Sequence, residues 1–150
     1  VGLTLMLIPA IWFNVQTVRD RMQNTKPYQR YGVASAWLQQ NTPAGSRVFQ
    51  TDWDDFTQLY FYNTHNTYTL GLDPTYMQID NPELYGLWRA ITKGQLKRAG
   101  KTIVASFGAN VVITDLYHES FLKEALADPS MTAVYRDEYA AIFLVSDQTK

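Results

Sequence analysis

The 150-residue chain contains no cysteine. This absence excludes disulfides, a thiol nucleophile and cysteine-based zinc or iron–sulfur sites. Basic side chains are not in excess either, because 13 lysines and arginines stand against 14 acidic residues. A chain without a basic excess lacks the charge with which proteins hold nucleic-acid phosphates, so we expect no nucleic-acid partner.

Signatures of self-contained catalysis are also missing. Gly94, Gly100 and Gly108 do not stand in a GxGxxG or GK[ST] context, and no GxSxG nucleophile elbow occurs. With only two histidines, His65 and His118, a histidine-rich metal site is excluded. The sequence therefore identifies no catalytic residue, and whether the chain forms part of an enzyme stays open.

What is present indicates one folded α/β domain. Charged residues make up 18 % of the chain and aromatic residues 14 %, a composition typical of a packed core rather than of disorder. Short β-branched or aromatic runs predict strands at 46–50, 67–70 and 111–113, and helical spacing predicts helices between them. The pattern predicts a three-layer, Rossmann-like sandwich with a mainly parallel sheet. Residues 132–136 and 140–145 are expected to close it as an antiparallel hairpin.

The N-terminal residues 1–13 form an apolar run without charge, and the first charged residue is Arg19. A membrane span needs about 20 apolar residues, so this run is too short to be a complete one. We interpret residues 1–23 as the end of a transmembrane helix and residues 24–150 as a soluble domain. A buried amphipathic or core helix is the alternative.

The stretch between Arg47 and Arg89 is acidic and aromatic, with six carboxylates and no lysine or arginine. Within it, Asp52-Trp53-Asp54-Asp55 follows the first predicted strand, where ligands of open α/β sheets tend to bind. These aspartates could cap the next helix, bind a polar ligand, or hold a divalent cation through oxygen atoms. No cofactor is otherwise indicated. His65 is expected to be a solvated loop residue, with a general base or a metal ligand as the alternatives, and His118 is expected to be structural.

A family resemblance rests on the helix stump followed by YGVASAWLQQNTPAGSRVFQTDWDDF, and on FGANVVITD and YRDEYAAIFLV further along. This pattern resembles the junction in polytopic membrane glycosyltransferases of the GT-C class, which include the oligosaccharyltransferases and protein mannosyltransferases. Trp37-Leu38 and Asn41-Thr42-Pro43 match that junction. Trp53-Asp54 can be aligned with the central tryptophan and aspartate of the oligosaccharyltransferase WWDYG motif, although Asp52, Asp55 and Phe56 differ from it.

The resemblance implies an extracytoplasmic (periplasmic) domain joined to upstream membrane helices. Its parent would use a polyprenyl-phosphate sugar donor and a glycan or peptide acceptor, with the catalytic carboxylates in earlier membrane loops. The domain would then contribute to binding rather than catalysis. Trp53 would stack on a sugar or peptide, and Asp54 and Asp55 would accept its hydrogen bonds or hold a cation. Three further residues would line the same edge: His65, Asn66 and Asp73.

Two rival functions remain at this stage. One is a non-catalytic, membrane-tethered module that binds a protein or glycan through the acidic, aromatic face. The other is a free-standing soluble enzyme, which the lack of a complete motif disfavours.

Overall fold

The computed structural model describes residues 2–23 and 27–146. Its strands are β1 (Arg47–Gln50), β2 (Thr67–Tyr68), β3 (Val111–Asp115), β4 (Met131–Arg136) and β5 (Ala140–Val145). Its helices are α1 (Gly2–Gln23), α2 (Gly32–Asn41), α3 (Phe56–Tyr62), α4 (Thr75–Asp80), α5 (Pro82–Thr92), α6 (Gly100–Phe107) and α7 (Glu119–Ala127). The predicted α/β class is confirmed.

The five strands form one mixed sheet in the order β2-β1-β3-β5-β4. β1 pairs in parallel with both β2 and β3, whereas β5 pairs antiparallel with both β3 and β4. The antiparallel C-terminal hairpin is therefore confirmed, but the prediction of a mainly parallel sheet is wrong. The reason is that β5, rather than β4, pairs with β3, and this pairing is antiparallel. The sheet therefore has two parallel and two antiparallel pairings.

Alternate side chains of the central strands pack into two separate core clusters. Val48, Val111 and Ile142 belong to a cluster that includes buried residues of α2 and α3. Phe49, Val112 and Phe143 belong to the other, which includes buried residues of α5, α6 and α7. β3 is buried along its whole length, as its β-branched sequence predicts.

Local signals explain two of the helix ends. Asn81 caps α5 through a 2.9 Å bond from the Leu84 amide to its side-chain oxygen, and Pro82 occupies the first turn. Gly108 ends α6 in the left-handed conformation, with φ of 62°. The spacing of apolar residues predicts helices over 28–40 and 97–108, and both are shorter in the structure. Residues 28–31 form a turn before α2, and α6 begins only at Gly100.

Helix α1 is continuous over 22 residues despite Pro9 inside it. Its large apolar side chains are exposed, among them Ile11, Trp12 and Phe13. Residues 24–26, where the domain was predicted to begin, lie outside the described residues, so the boundary at residue 23 stays a prediction. Across the described ranges, no helix combines the length and apolar character that crossing a bilayer requires.

Candidate functional site

The candidate site lies where the order of the strands in the sheet reverses, beside β1. From β1 the chain passes to β2 on one side, and then returns to β3 on the other side of β1. In open α/β sheets, ligands bind outside the carboxyl ends of the strands at such a switch point. We call residues 51–55 and 114–118, which surround these ends of β1 and β3, the carboxyl edge. A buried 2.8 Å hydrogen bond between the Thr51 and Thr114 hydroxyls joins the two strand ends.

Three potential ligand side chains meet at this edge. Asp52, Asp115 and His118 each offer one atom, and these atoms all lie within 4.8 Å of one another. Asp52 follows β1, Asp115 ends β3, and His118 precedes α7. The parallel pairing of β1 with β3 therefore assembles residues that are more than sixty positions apart in the sequence.

The buried Asp115 carboxylate organises the turn between β3 and α7. Its Oδ1 atom accepts 3.0 Å bonds from the amides of Tyr117 and His118, and a 2.7 Å bond to His118 Nδ1. This side-chain hydrogen bond raises the pKa of His118, with a smaller opposing effect of burial. The imidazole is half-buried, so it is fixed by Asp115 while part of it stays accessible.

The loop after β1 presents Trp53 and Asp54 to solvent, and Trp53 is 40 % exposed. Asp52 beside them is half-buried. Burial raises the pKa of Asp52, and the negative charge of Asp54 raises it further. These groups favour a cation or a hydrogen-bond donor over an anion, because the two carboxylates repel each other when both are ionised.

Asp55 differs from its neighbours because it is buried and already bonded. Its two oxygens accept hydrogen bonds from the Arg30 guanidinium and the Tyr31 hydroxyl. Burial raises its pKa to about 6, against the lowering effects of Tyr31 and Arg30. It stands at the N-cap of α3 without making a side-chain cap bond, so the capping interpretation is wrong for this residue. One Asp55 oxygen lies within 4.8 Å of one oxygen each of Asp52 and Asp54. Both Asp55 oxygens are nevertheless bonded inside the protein, to Arg30 and Tyr31.

His65 and Asn66 lie at the opposite end of the strands. They immediately precede β2, whose parallel partner β1 begins at the same end. His65 Nε2 is 2.9 Å from the Thr42 carbonyl oxygen, and the buried Asn66 amide bonds the Thr42 hydroxyl at 2.7 Å. The expectation that they line the same edge as Asp54 is wrong, because residues before and after parallel strands lie at opposite edges. We call residues 42–46 and 63–66 the amino edge.

Asp73 follows β2 and is exposed. Its Oδ1 accepts a 2.8 Å bond from the Thr75 amide at the start of α4. Hydrogen bonding to the Thr75 side chain, and then to its backbone amide, lowers the pKa of the carboxyl group. Its ligand-binding role stays a prediction.

An open cleft of about 360 Å³ adjoins the carboxyl edge at His118. Polar side chains line it, and its six residues come from the end of α5 and the turn into α7: Thr92, Lys93, Tyr117, His118, Glu119 and Ser120. The cleft gives a ligand access to the exposed part of the imidazole.

Asp115 and His118 were not among the predicted site residues. The signal that identifies Asp115 is an acidic residue at the end of the buried run Val111–Asp115. Because β1 and β3 flank the switch point, a carboxylate at the end of β3 is expected to lie beside Asp52, which follows β1. His118 follows from its spacing, because a side chain three residues after an aspartate can bond it in a turn.

No protein-family model matches the chain, and no curated protein matches it.

Proposed function

We propose that the chain is the extracytoplasmic domain of a membrane-embedded glycosyltransferase of the GT-C class that uses a lipid-linked sugar. In this proposal, the carboxyl edge binds part of the donor or acceptor, and catalysis takes place in the membrane-embedded part. The observation that carries the proposal is the bonding of Asp55 to Arg30 and Tyr31. These bonds hold Arg30 and Tyr31 at the carboxyl edge, next to Trp53 and Asp54.

This arrangement limits how far the edge can lie from the end of α1. Four peptide steps join Gln23 to Pro27, and an extended chain covers at most about 3.6 Å per residue, or about 14 Å in all. The Arg30 amide bonds the Pro27 carbonyl oxygen at 3.1 Å, so Pro27 belongs to the turn that meets Asp55. If α1 continues a membrane helix, the carboxyl edge therefore lies close to the bilayer surface.

Two features of α1 support its membrane assignment. Its exposed apolar side chains lack a protein partner surface in the described ranges, and they include Leu7, Ile8, Val15 and Val18. Its polar side chains bond its own backbone: Asn14 to the Ala10 carbonyl oxygen at 2.8 Å, and Thr17 to that of Phe13 at 2.9 Å. Such internal bonds allow polar side chains to enter an apolar environment.

The chemistry of the edge fits a polyhydroxylated ligand. An exposed indole such as that of Trp53 offers a flat apolar surface for the C–H face of a sugar ring. The exposed Asp54 carboxylate only accepts hydrogen bonds, and sugar hydroxyls donate them. A stacking ring beside a carboxylate thus matches both surfaces of a sugar.

A finer description of the fold belongs to the same proposal. We infer a three-layer, Rossmann-like sandwich in which α2 and α3 cover one face of the sheet and α5, α6 and α7 cover the other. The two core clusters support it, because they take alternate residues of the same strands.

The test is a titration of the chain, held in a mild detergent, with three probes: a short-chain polyprenyl diphosphate hexose, the same lipid without sugar, and the free hexose. The described residues include four indole N–H groups, those of Trp12, Trp37, Trp53 and Trp88. We expect the sugar-bearing probes to shift the Trp53 resonance and to leave that of the buried Trp88 unchanged.

Matched variants complete this test. Trp53→Phe and Asp54→Asn should each weaken binding by about tenfold, since a lost stacking or charged hydrogen-bond contact costs about 1–2 kcal/mol. Asp80→Asn, which removes an exposed carboxylate of α4, should leave binding unchanged. Unaltered binding in both edge variants, or no binding of any probe, would contradict the proposal.

A further inference from the structure

We propose that Asp52, Asp115 and His118 form a binding site for one divalent transition-metal ion at the carboxyl edge. The site combines two carboxylates with an imidazole from the ends of two different strands. It does not depend on the glycosyltransferase proposal, because it follows from the geometry of these three side chains.

The separations of the three side chains suit a shared ion. Their ligand atoms lie within 4.8 Å of one another. Two atoms bound to the same ion at about 2.1 Å are at most about 4.2 Å apart, so movements of about half an ångström would bring all three onto one ion. Exposed or half-buried side chains such as Asp52 and His118 make such movements by small rotations.

The surroundings hold the three groups in place. Thr51 and Thr114, the residues directly before Asp52 and Asp115, are joined by their buried hydroxyl bond. His118 Nδ1 lies 2.7 Å from Asp115 Oδ1. An ion bound by both side chains would replace the proton in this hydrogen bond, because metal ligands are deprotonated.

The charge balance also favours a cation. Asp52, Asp54 and Asp55 each place one oxygen within 4.8 Å of the others, and one atom each of Asp52 and Asp115 also lies within 4.8 Å. The Arg30 guanidinium is bonded to Asp55 and to the Gln58 side-chain oxygen, and it has no bond to Asp52 or Asp54 among the described contacts. A divalent ion beside Asp52 would offset the repulsion that remains.

The mixed ligand set indicates the kind of ion. Ca²⁺ and Mg²⁺ take oxygen ligands, whereas imidazole suits zinc and other first-row transition metals, and carboxylates also suit manganese. We therefore assign the site to Zn²⁺ or Mn²⁺ rather than to Ca²⁺. Three protein ligands leave at least one coordination position for a water molecule or for an oxygen atom of a ligand in the adjoining cleft.

The first experiment uses the only two histidines of the chain, one at each edge. Substoichiometric Mn²⁺ is added to the ¹⁵N-labelled wild-type chain, and the imidazole resonances are followed by NMR. We expect strong paramagnetic broadening of His118 and little effect on His65, which bonds the Thr42 carbonyl oxygen at the amino edge. Equal broadening of both rings, or none of either, would overturn the proposal.

The second experiment is calorimetric titration of the wild type with Zn²⁺ and with Ca²⁺. We expect one Zn²⁺ per chain and weaker binding of Ca²⁺. Asp52→Asn and His118→Gln should each weaken Zn²⁺ binding by about tenfold or more. Asp80→Asn serves as the control and should bind Zn²⁺ like the wild type. Asp52 and His118 are replaced rather than Asp115, because the buried Asp115 also supports the turn and its replacement could unfold the chain. Wild-type affinity in both variants would overturn the proposal.

Discussion

The Arg30 guanidinium forms an ion pair with the buried carboxylate of Asp55, 25 residues further along the chain. Tyr31 donates its hydroxyl to the other oxygen of the same carboxylate. This pair of contacts ties the turn before α2 to the start of α3. The same contacts hold the residues directly before α2 beside the carboxyl ends of β1 and β3.

Replacing Asp55 is expected to damage stability rather than surface binding. Asp55→Asn should lower the free energy of unfolding by about 3–5 kcal/mol, because the Arg30 charge would be left buried without its partner. Asp54→Asn, one residue away and exposed, should change it by no more than about 0.5 kcal/mol. Urea denaturation of both variants measures the difference.

A double-mutant cycle provides the control for this prediction. Asp55→Leu combined with Arg30→Met removes both charges, so the double variant should lose less stability than the sum of the single losses. Additive losses would show that the two side chains do not interact.

Gly94 is expected to be indispensable for the packing of α5 against the start of α7. Its φ is +65°, and an added Cβ would lie 2.5 Å from the Ser120 carbonyl carbon. Gly94→Ala should cost more than about 2 kcal/mol, since left-handed strain and overpacking add. Gly86→Ala, inside α5 with open space around it, should instead stabilise the fold by about 0.5–1 kcal/mol. Thermal unfolding distinguishes the two, and a neutral Gly94→Ala would contradict the packing described here.

The stability of the fold should depend on the protonation of His118. Its hydrogen bond to Asp115 raises its pKa above the unfolded value of about 6.5. The protonated ring therefore stabilises the folded state fully below about pH 6.5, and this contribution is lost as the pH rises through the higher folded pKa. Urea denaturation from pH 5.5 to 8.5 should show the advantage of the wild type over His118→Gln shrinking with rising pH. A constant or growing advantage would contradict the assignment.

Asn66 is expected to be structural. Its oxygen accepts a 2.7 Å bond from Asn63, and its amide donates to Thr42 at the amino edge. Asn66→Ala should lower stability by about 1–3 kcal/mol, because buried polar partners lose their bonds. The same variant should keep wild-type affinity for Zn²⁺ and for the sugar-bearing probes. A selective loss of ligand affinity without a loss of stability would return Asn66 to the list of binding residues.

Local sequence patterns predicted much of the fold because the signals are themselves local. Asn81-Pro82 and Asp73-Pro74 each place a capping residue before a proline, which predicts a helix start, and α5 and α4 begin there. The β-branched run from Val111 forms a buried strand, as predicted. The position of β5 beside β3 could not be read in this way. A hairpin pattern shows that two strands pair with each other, but it does not show which of them joins the rest of the sheet.

The candidate site was only partly predictable for the same reason. The position of Trp53 and Asp54 at the carboxyl edge was predictable because they lie in the loop that follows β1, while their binding role stays a prediction. The buried state of Asp55 was missed, since its partner Arg30 lies in a different element and carries no local signal. His65 was misplaced because a polar turn has the same sequence character at either edge of a sheet. Only the strand direction on each side of that turn distinguishes the edges.

The central claim, that the carboxyl edge faces a membrane, is tested most directly with the chain reconstituted through α1 into a lipid nanodisc. Gadolinium-labelled lipid headgroups enhance the relaxation of nearby backbone amides, which NMR measures residue by residue. We expect stronger enhancement at residues 51–55 and 114–118 than at residues 42–46 and 63–66. Equal enhancement at both edges, or stronger enhancement at the amino edge, would contradict it.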